Sequence, residues 1–129
     1  RQMCIRDSMK TICAMREVFR AMSSFETAFE KVYRITLNEA MILCILKDAT
    51  ERMTATNLSK STDLSPSHTS KMLRILEGKG LIVRTLGSED RRQMYFTLSA
   101  AGRERVCDME IQKVEIPELL KPLFKDAES

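Results

Sequence analysis

At 129 residues, 43% apolar and 30% charged, the chain is one ordinary soluble domain, long enough to close a core. No apolar run approaches the roughly 20 residues a membrane span needs, and no secretory signal core is present. The formal net charge of +3 is mild, but residues 52–105 hold ten lysines and arginines against five acidic residues, leaving the flanks net acidic.

In chain order, the first eight residues, "RQMCIRDS", read as foreign. They correspond to codons AGA CAG ATG TGT ATA AGA GAC AGN, which resemble a transposon end used in preparing sequencing libraries. The expectation is a non-native scar at 1–8, a native start at Met9 and a single domain over 9–129; the alternative is a natural extension. From Ile12 the apolar positions 12, 15, 19, 22, 25, 29 and 32 step by three and four. This predicts a long helix with one narrow seam that must meet another helix. Thr36-Leu37-Asn38-Glu39 is a capping box. It opens a second helix, "AMILCILKDA", apolar nearly all round and therefore buried. "RMT" at 52–54 allows at most a small strand, and a short helix follows over about 55–62, with Leu58 inward and Ser59 small enough for close approach.

Ser65 is a suitable N-cap, with Pro66 at the first helical position, and Gly80 a natural stop. "LIVRTL" and "QMYFTL" predict two strands around the polar turn "GSEDRR", with Met94, Phe96 and Leu98 sharing one face. Ser99 caps a helix expected over about 100–115, and Pro117 starts a short last one that Pro122 should interrupt. The fold class is therefore mainly α with a small β-hairpin wing. A helix pair joined by a tight turn and followed at once by a hairpin is a winged helix-turn-helix, over about 36–99, flanked by helices at about 9–33 and 100–126. This motif presents its second helix to the DNA major groove.

In that second helix the core side is predicted at Thr69, Met72, Leu73 and Leu76, with 67, 68, 71 and 74 on the opposite face. Ser65, Ser67, His68 and Ser70 are short, so the backbone can approach base edges, and hydroxyls pair with several of them. Lys71 and Arg74 can reach guanine or phosphate. A capped, serine-rich surface helix is the plain alternative. At the hairpin tip, Arg91 and Arg92 suit a narrow minor groove, and Asp90 can brace Arg92 through a charge-assisted bond; an exposed charged turn is the alternative there.

Asp90-Arg91-Arg92, Leu98-Ser99 and Gly102 at their spacing, preceded by "LEGKGLIVR" at 76–84, resemble the MarR family of bacterial transcriptional regulators. The resemblance implies a homodimer made by the first and last helices, bound to double-stranded DNA at a pseudo-palindromic operator. It puts Ser67, His68, Ser70 and Lys71 at reading positions, Arg92 at the wing arginine and Asp90 at its brace. It also implies release of DNA by a small aromatic or phenolic effector, acting on a repressor. Ile75 departs from the family's basic or polar residue and is expected to pack rather than read. Cys13 lies near where some members oxidise a cysteine, but Leu37 and Ala40 replace the tyrosines of that branch, so a buried or idle cysteine is the expectation and redox sensing the alternative. Cys44 and Cys107 read as small hydrophobes. With four scattered cysteines (4, 13, 44 and 107) and one histidine, the zinc spacings and a disulfide framework are excluded, which places the protein in a reducing cytoplasm. No metal, cofactor or membrane partner is expected. A winged helix used only for protein contact remains as a second class. An enzyme is excluded for want of a catalytic arrangement or a Gly-rich phosphate loop.

Overall fold

The structure is a computed structural model describing residues 5–89, 92–109, 114 and 116–128, with side chains described between residues 8 and 123 of these. The chain divides into two compact units, residues 1–35 with 110–129, and residues 36–109. No helix among the described residues is long and apolar enough to cross a membrane.

The first unit holds α1 (Ile5–Tyr33) and a terminal 3₁₀ helix (Glu118–Glu128). α1 begins seven residues before the seam. Arg, Met and Lys are good helix formers, and nothing in "IRDSMK" stops a helix from propagating towards the N-terminus. The seam itself is split. Phe25 and Phe29 are buried, their rings 6.2 Å apart, and Phe29 lies 5.0 Å from Tyr33. Ile12, Met15 and Phe19, by contrast, are 63%, 65% and 74% exposed in the single chain.

In the second unit, α2 (Leu37–Asp48) opens on the expected capping box: Thr36 Oγ1 accepts the Glu39 N–H at 3.1 Å and Glu39 Oε1 accepts the Thr36 N–H at 2.8 Å. Glu39 is itself buried, facing Lys79 Nζ at 3.6 Å, while its Oε2 has no hydrogen-bond partner. α3 (Ala55–Thr62) repeats the device with Thr54 and Asn57, and Leu58 and Ser59 are buried, Ser59 Oγ donating to the Leu64 carbonyl at 2.7 Å. Asp63, at φ 61, makes the left-handed turn into α4 (Pro66–Gly78). That helix ends in a Schellman motif. The Leu81 N–H reaches the Leu76 carbonyl and the Gly80 N–H the Glu77 carbonyl, both at 3.0 Å, while Gly80 takes the positive φ of 74 that a side chain would resist.

Strands β1 (Ile82–Leu86) and β2 (Met94–Leu98) pair antiparallel, Arg84 opposite Phe96. On its other edge β2 meets Met53, whose carbonyl accepts the Phe96 N–H at 2.8 Å, so the small strand expected at 52–54 is a single bridge. Ile42, Leu43, Leu58, Leu73 and Leu76 are fully enclosed and form the centre of this unit's core.

The C-terminal expectations need correction. α5 covers Ala100–Asp108 and closes with the Met109 N–H on the Val106 carbonyl at 3.2 Å, short of the expected 115; residues 110–113 and 115 lie outside the described residues. Cys107 and Asp108 are weak helix formers, and the carboxylate sits at the negative end of the helix dipole. Pro122 does not interrupt the last helix but lies inside it. In a 3₁₀ turn the ring escapes the clash with the carbonyl four residues back that breaks an α-helix. Cys13, Cys44 and Cys107 are all exposed, so Cys13 is not buried, and Cys44 and Cys107 are not core filler. Partial burial nevertheless pushes the Cys44 thiol pKa up, Asp48 adding to the rise and Lys47 opposing it.

Candidate nucleic-acid interface

The core fixes how α4 is rotated. Thr69, Met72, Leu73 and Leu76 are buried, which leaves Ser67, His68, Ser70, Lys71 and Arg74 exposed on the remaining face. Ser65 serves the helix first, its Oγ accepting the His68 N–H at 3.2 Å and lying 3.4 Å from Ser67 Oγ. No acidic residue stands in the first turn, so nothing there repels a phosphate from the positive end of the helix dipole. Ile75 is 39% exposed rather than packed. One residue on from Arg74, it falls outside the stripe that faces the core.

The hairpin is tied to this helix by an ion pair, Arg84 Nη2 to Glu77 Oε1 at 2.8 Å, between β1 and the last turn of α4. Arg84 also lies 5.9 Å from the Phe96 ring centre, and Arg52 stacks over Tyr95 at 4.4 Å. Between α4, the start of α3 and the hairpin lies an open cleft of about 440 Å³, with Ser70, Arg74, Arg84 and Thr56 on its polar rim and Leu73 and Phe96 at its apolar base. Arg84 was not singled out from sequence. Its one signal was the single cation in a mostly apolar strand, and the partner that holds it, Glu77, comes from a different element. Arg92 is exposed at the turn before β2, whereas Asp90 and Arg91 lie outside the described residues. The proposed brace of Arg92 by Asp90 therefore lies outside them as well. Cys13 is exposed on α1, in the other unit.

Thr69 carries the one discordant group on this helix. It is fully buried and its Oγ1 has no hydrogen-bond partner. A buried hydroxyl without a partner costs about 1–3 kcal/mol. Thr69→Val, nearly isosteric, should therefore raise the stability of the winged unit by about 1 kcal/mol without altering the exposed face. Chemical denaturation of the two proteins checks this; a lower midpoint for the valine variant would mean the hydroxyl is satisfied in solution.

Residues 35–94 match the model of the MarR family. No curated protein matches the chain in sequence. Among solved structures, a MepR-like protein complexed with pseudoligands superposes with a TM-score of 0.72 at 23% identity, over 89% of this chain and 78% of that one. BpsR of Bordetella bronchiseptica, described for regulation of its DNA binding by 6-hydroxynicotinic acid, gives 0.68 at 19% identity, over 91% and 85%. The MepR–DNA complex of S. aureus gives 0.66 at 18% identity, over 98% and 81%. These likenesses establish the fold: mainly helical, with a two-stranded winged hairpin. Residues 35–94, rather under half of the chain, are thus similar to the MarR family of transcriptional regulators, and the structure builds them as a winged helix-turn-helix.

Proposed function

We propose that the protein binds a pseudo-palindromic operator as a homodimer and represses transcription until a small aromatic or phenolic molecule releases it. The observation that carries this reading is the two-sided α4: one side is locked into the core, while Ser67, His68, Ser70, Lys71 and Arg74 stand open beside a hairpin that ends in Arg92. Short polar side chains let a helix sit deep in the major groove, and the cations supply phosphate affinity. Support for the effector is by likeness: in BpsR, DNA binding is regulated by 6-hydroxynicotinic acid, a hydroxylated aromatic acid. Support for the homodimer comes from α1, where Ile12, Met15, Phe19 and Met22 present an apolar stripe to solvent in the single chain. Soluble monomers avoid stripes of this kind. In this reading the helices at about 9–33 and 100–126 carry dimerisation, and about 36–99 carries the DNA contacts.

Two measurements test it. Affinity for the DNA upstream of the protein's own gene should fall with salt, with a log–log slope of about −0.9 for each phosphate neutralised, and should exceed affinity for scrambled duplex by about 10³ or more. A protein-contact module would show neither. Sedimentation should give a dimer at micromolar concentration, and a concentration-independent monomer would defeat the dimer.

A further inference from the structure

Among the described residues no group of three His, Cys, Asp or Glu side chains is placed to hold a metal ion. Sulfur is distributed differently. Met41, Cys44 and Met53 line one shallow cleft of about 380 Å³ beside the C-terminal half of α2, together with Ile45, Asp48 and Ala49. Met41 and Cys44 stand three residues apart on a helix, which makes them neighbours on one face, with Cβ atoms roughly 5–6 Å apart. Met53 arrives from the loop after α2 and is held there by its backbone, whose carbonyl accepts the Phe96 N–H at 2.8 Å. Cys44 is exposed, and Met41 and Met53 are half-buried, so the three sulfur-bearing side chains share a surface that solvent can reach.

We propose that Met41, Cys44 and Met53 form a binding site for a soft monovalent cation of the copper(I) or silver(I) class. Thiolate and thioether are the ligands that select such ions over zinc, calcium or magnesium. Methionine side chains turn about three bonds, so two of them can converge on an ion that a fixed cysteine locates. Binding is a proton-for-metal exchange: the Cys44 S–H bond breaks, the proton goes to solvent, a sulfur–metal bond forms, and no electron is transferred. One thiolate, one monovalent cation and two neutral thioethers make a neutral ligand set, and the Asp48 carboxylate that shares the cleft adds attraction for a cation. A zinc ion would lack the further imidazole or thiolate ligands it prefers. Occupancy would bridge α2 to Met53 and so to the root of the hairpin.

The test is a silver(I) titration of the full chain under reducing conditions, followed by native mass spectrometry against a competing thiol. One tight equivalent is expected, absent in Cys44→Ser and weakened at least tenfold in Met41→Leu and in Met53→Leu, but unchanged in Cys13→Ser and Cys107→Ser. Leucine conserves volume, and thermal melts of the two variants establish that the fold persists. Methionine variants that bind as tightly as the parent would overturn the proposal by reducing the site to a single thiol. Loss of the equivalent in Cys13→Ser or Cys107→Ser would place the ion elsewhere and overturn it equally.

Discussion

Alanine at position 102 should destabilise the winged unit by about 3 kcal/mol, although it replaces a glycine inside a helix. On helix propensity alone the change would stabilise by about 1 kcal/mol. The local geometry reverses the sign. A Cβ on Gly102 would run into the Leu81 carbonyl oxygen, and it would stand 3.1 Å from the Leu81 carbonyl carbon and 3.2 Å from Leu98 Cδ2. The obstacle is backbone, and it is held in place: the Leu81 carbonyl accepts the Ser99 N–H at 3.0 Å, Ser99 Oγ donates to the Gly80 carbonyl at 2.7 Å, and the Gly102 N–H closes the knot on Ser99 Oγ at 3.0 Å. Relieving the clash means pulling α5 away from the start of β1 and breaking one or more of these bonds. Urea denaturation monitored by circular dichroism measures the effect. A Gly102→Ala protein as stable as its parent would show that α5 can slide without cost.

Under the proposed function, α4 and the wing should fail in different ways. Ser70→Ala or His68→Ala removes a partner for a base edge, and each should cost about 1–3 kcal/mol on the true operator and far less on random duplex. Arg92→Ala removes a cation suited to the minor groove, whose readout is largely A·T against G·C and groove width. It should weaken many sequences together and flatten the salt slope by about one unit if one phosphate-linked charge is lost. Neither change touches Leu73 or Leu76, which are buried on the far side of α4, so melting temperatures should hold. Titration of operator and scrambled duplexes at two salt concentrations separates the outcomes. Equal loss on both duplexes for the helix variants would mean that α4 grips only the DNA backbone.

Local chemistry made much of this fold legible in sequence. The Thr36–Glu39 box, the Ser65-Pro66 start and the Gly80 stop each depend on residues within a turn of one another, and each formed as read. Period-3.6 spacing located the buried side of α4, and with it the exposure of Ser67, His68, Ser70, Lys71 and Arg74. What was illegible depends on distant partners. Arg84 is held by Glu77 from another element, and Gly102 is constrained by the Leu81 carbonyl, twenty-one positions earlier. The premature end of α5 turns on small propensity differences at Cys107 and Asp108 that no periodic signal reveals. Cys44 reads as a small hydrophobe in a helix apolar almost throughout, but the structure exposes it on the side facing the Met41–Met53 cleft.

The bridge from Met53 to Phe96 has a consequence for how stiffness is distributed along the hairpin. Two strands alone are marginally stable in water. Here β2 is bonded on both edges at its buried end, by β1 and by Met53, while towards Leu86 and Met94 it has β1 alone. Amide hydrogen exchange should accordingly be slow at Phe96 and quicken along β1 towards Leu86, which is 57% exposed. The hairpin is thus clamped twice at its root, while its outer pairs, Thr85–Tyr95 and Leu86–Met94, rest on a single ladder.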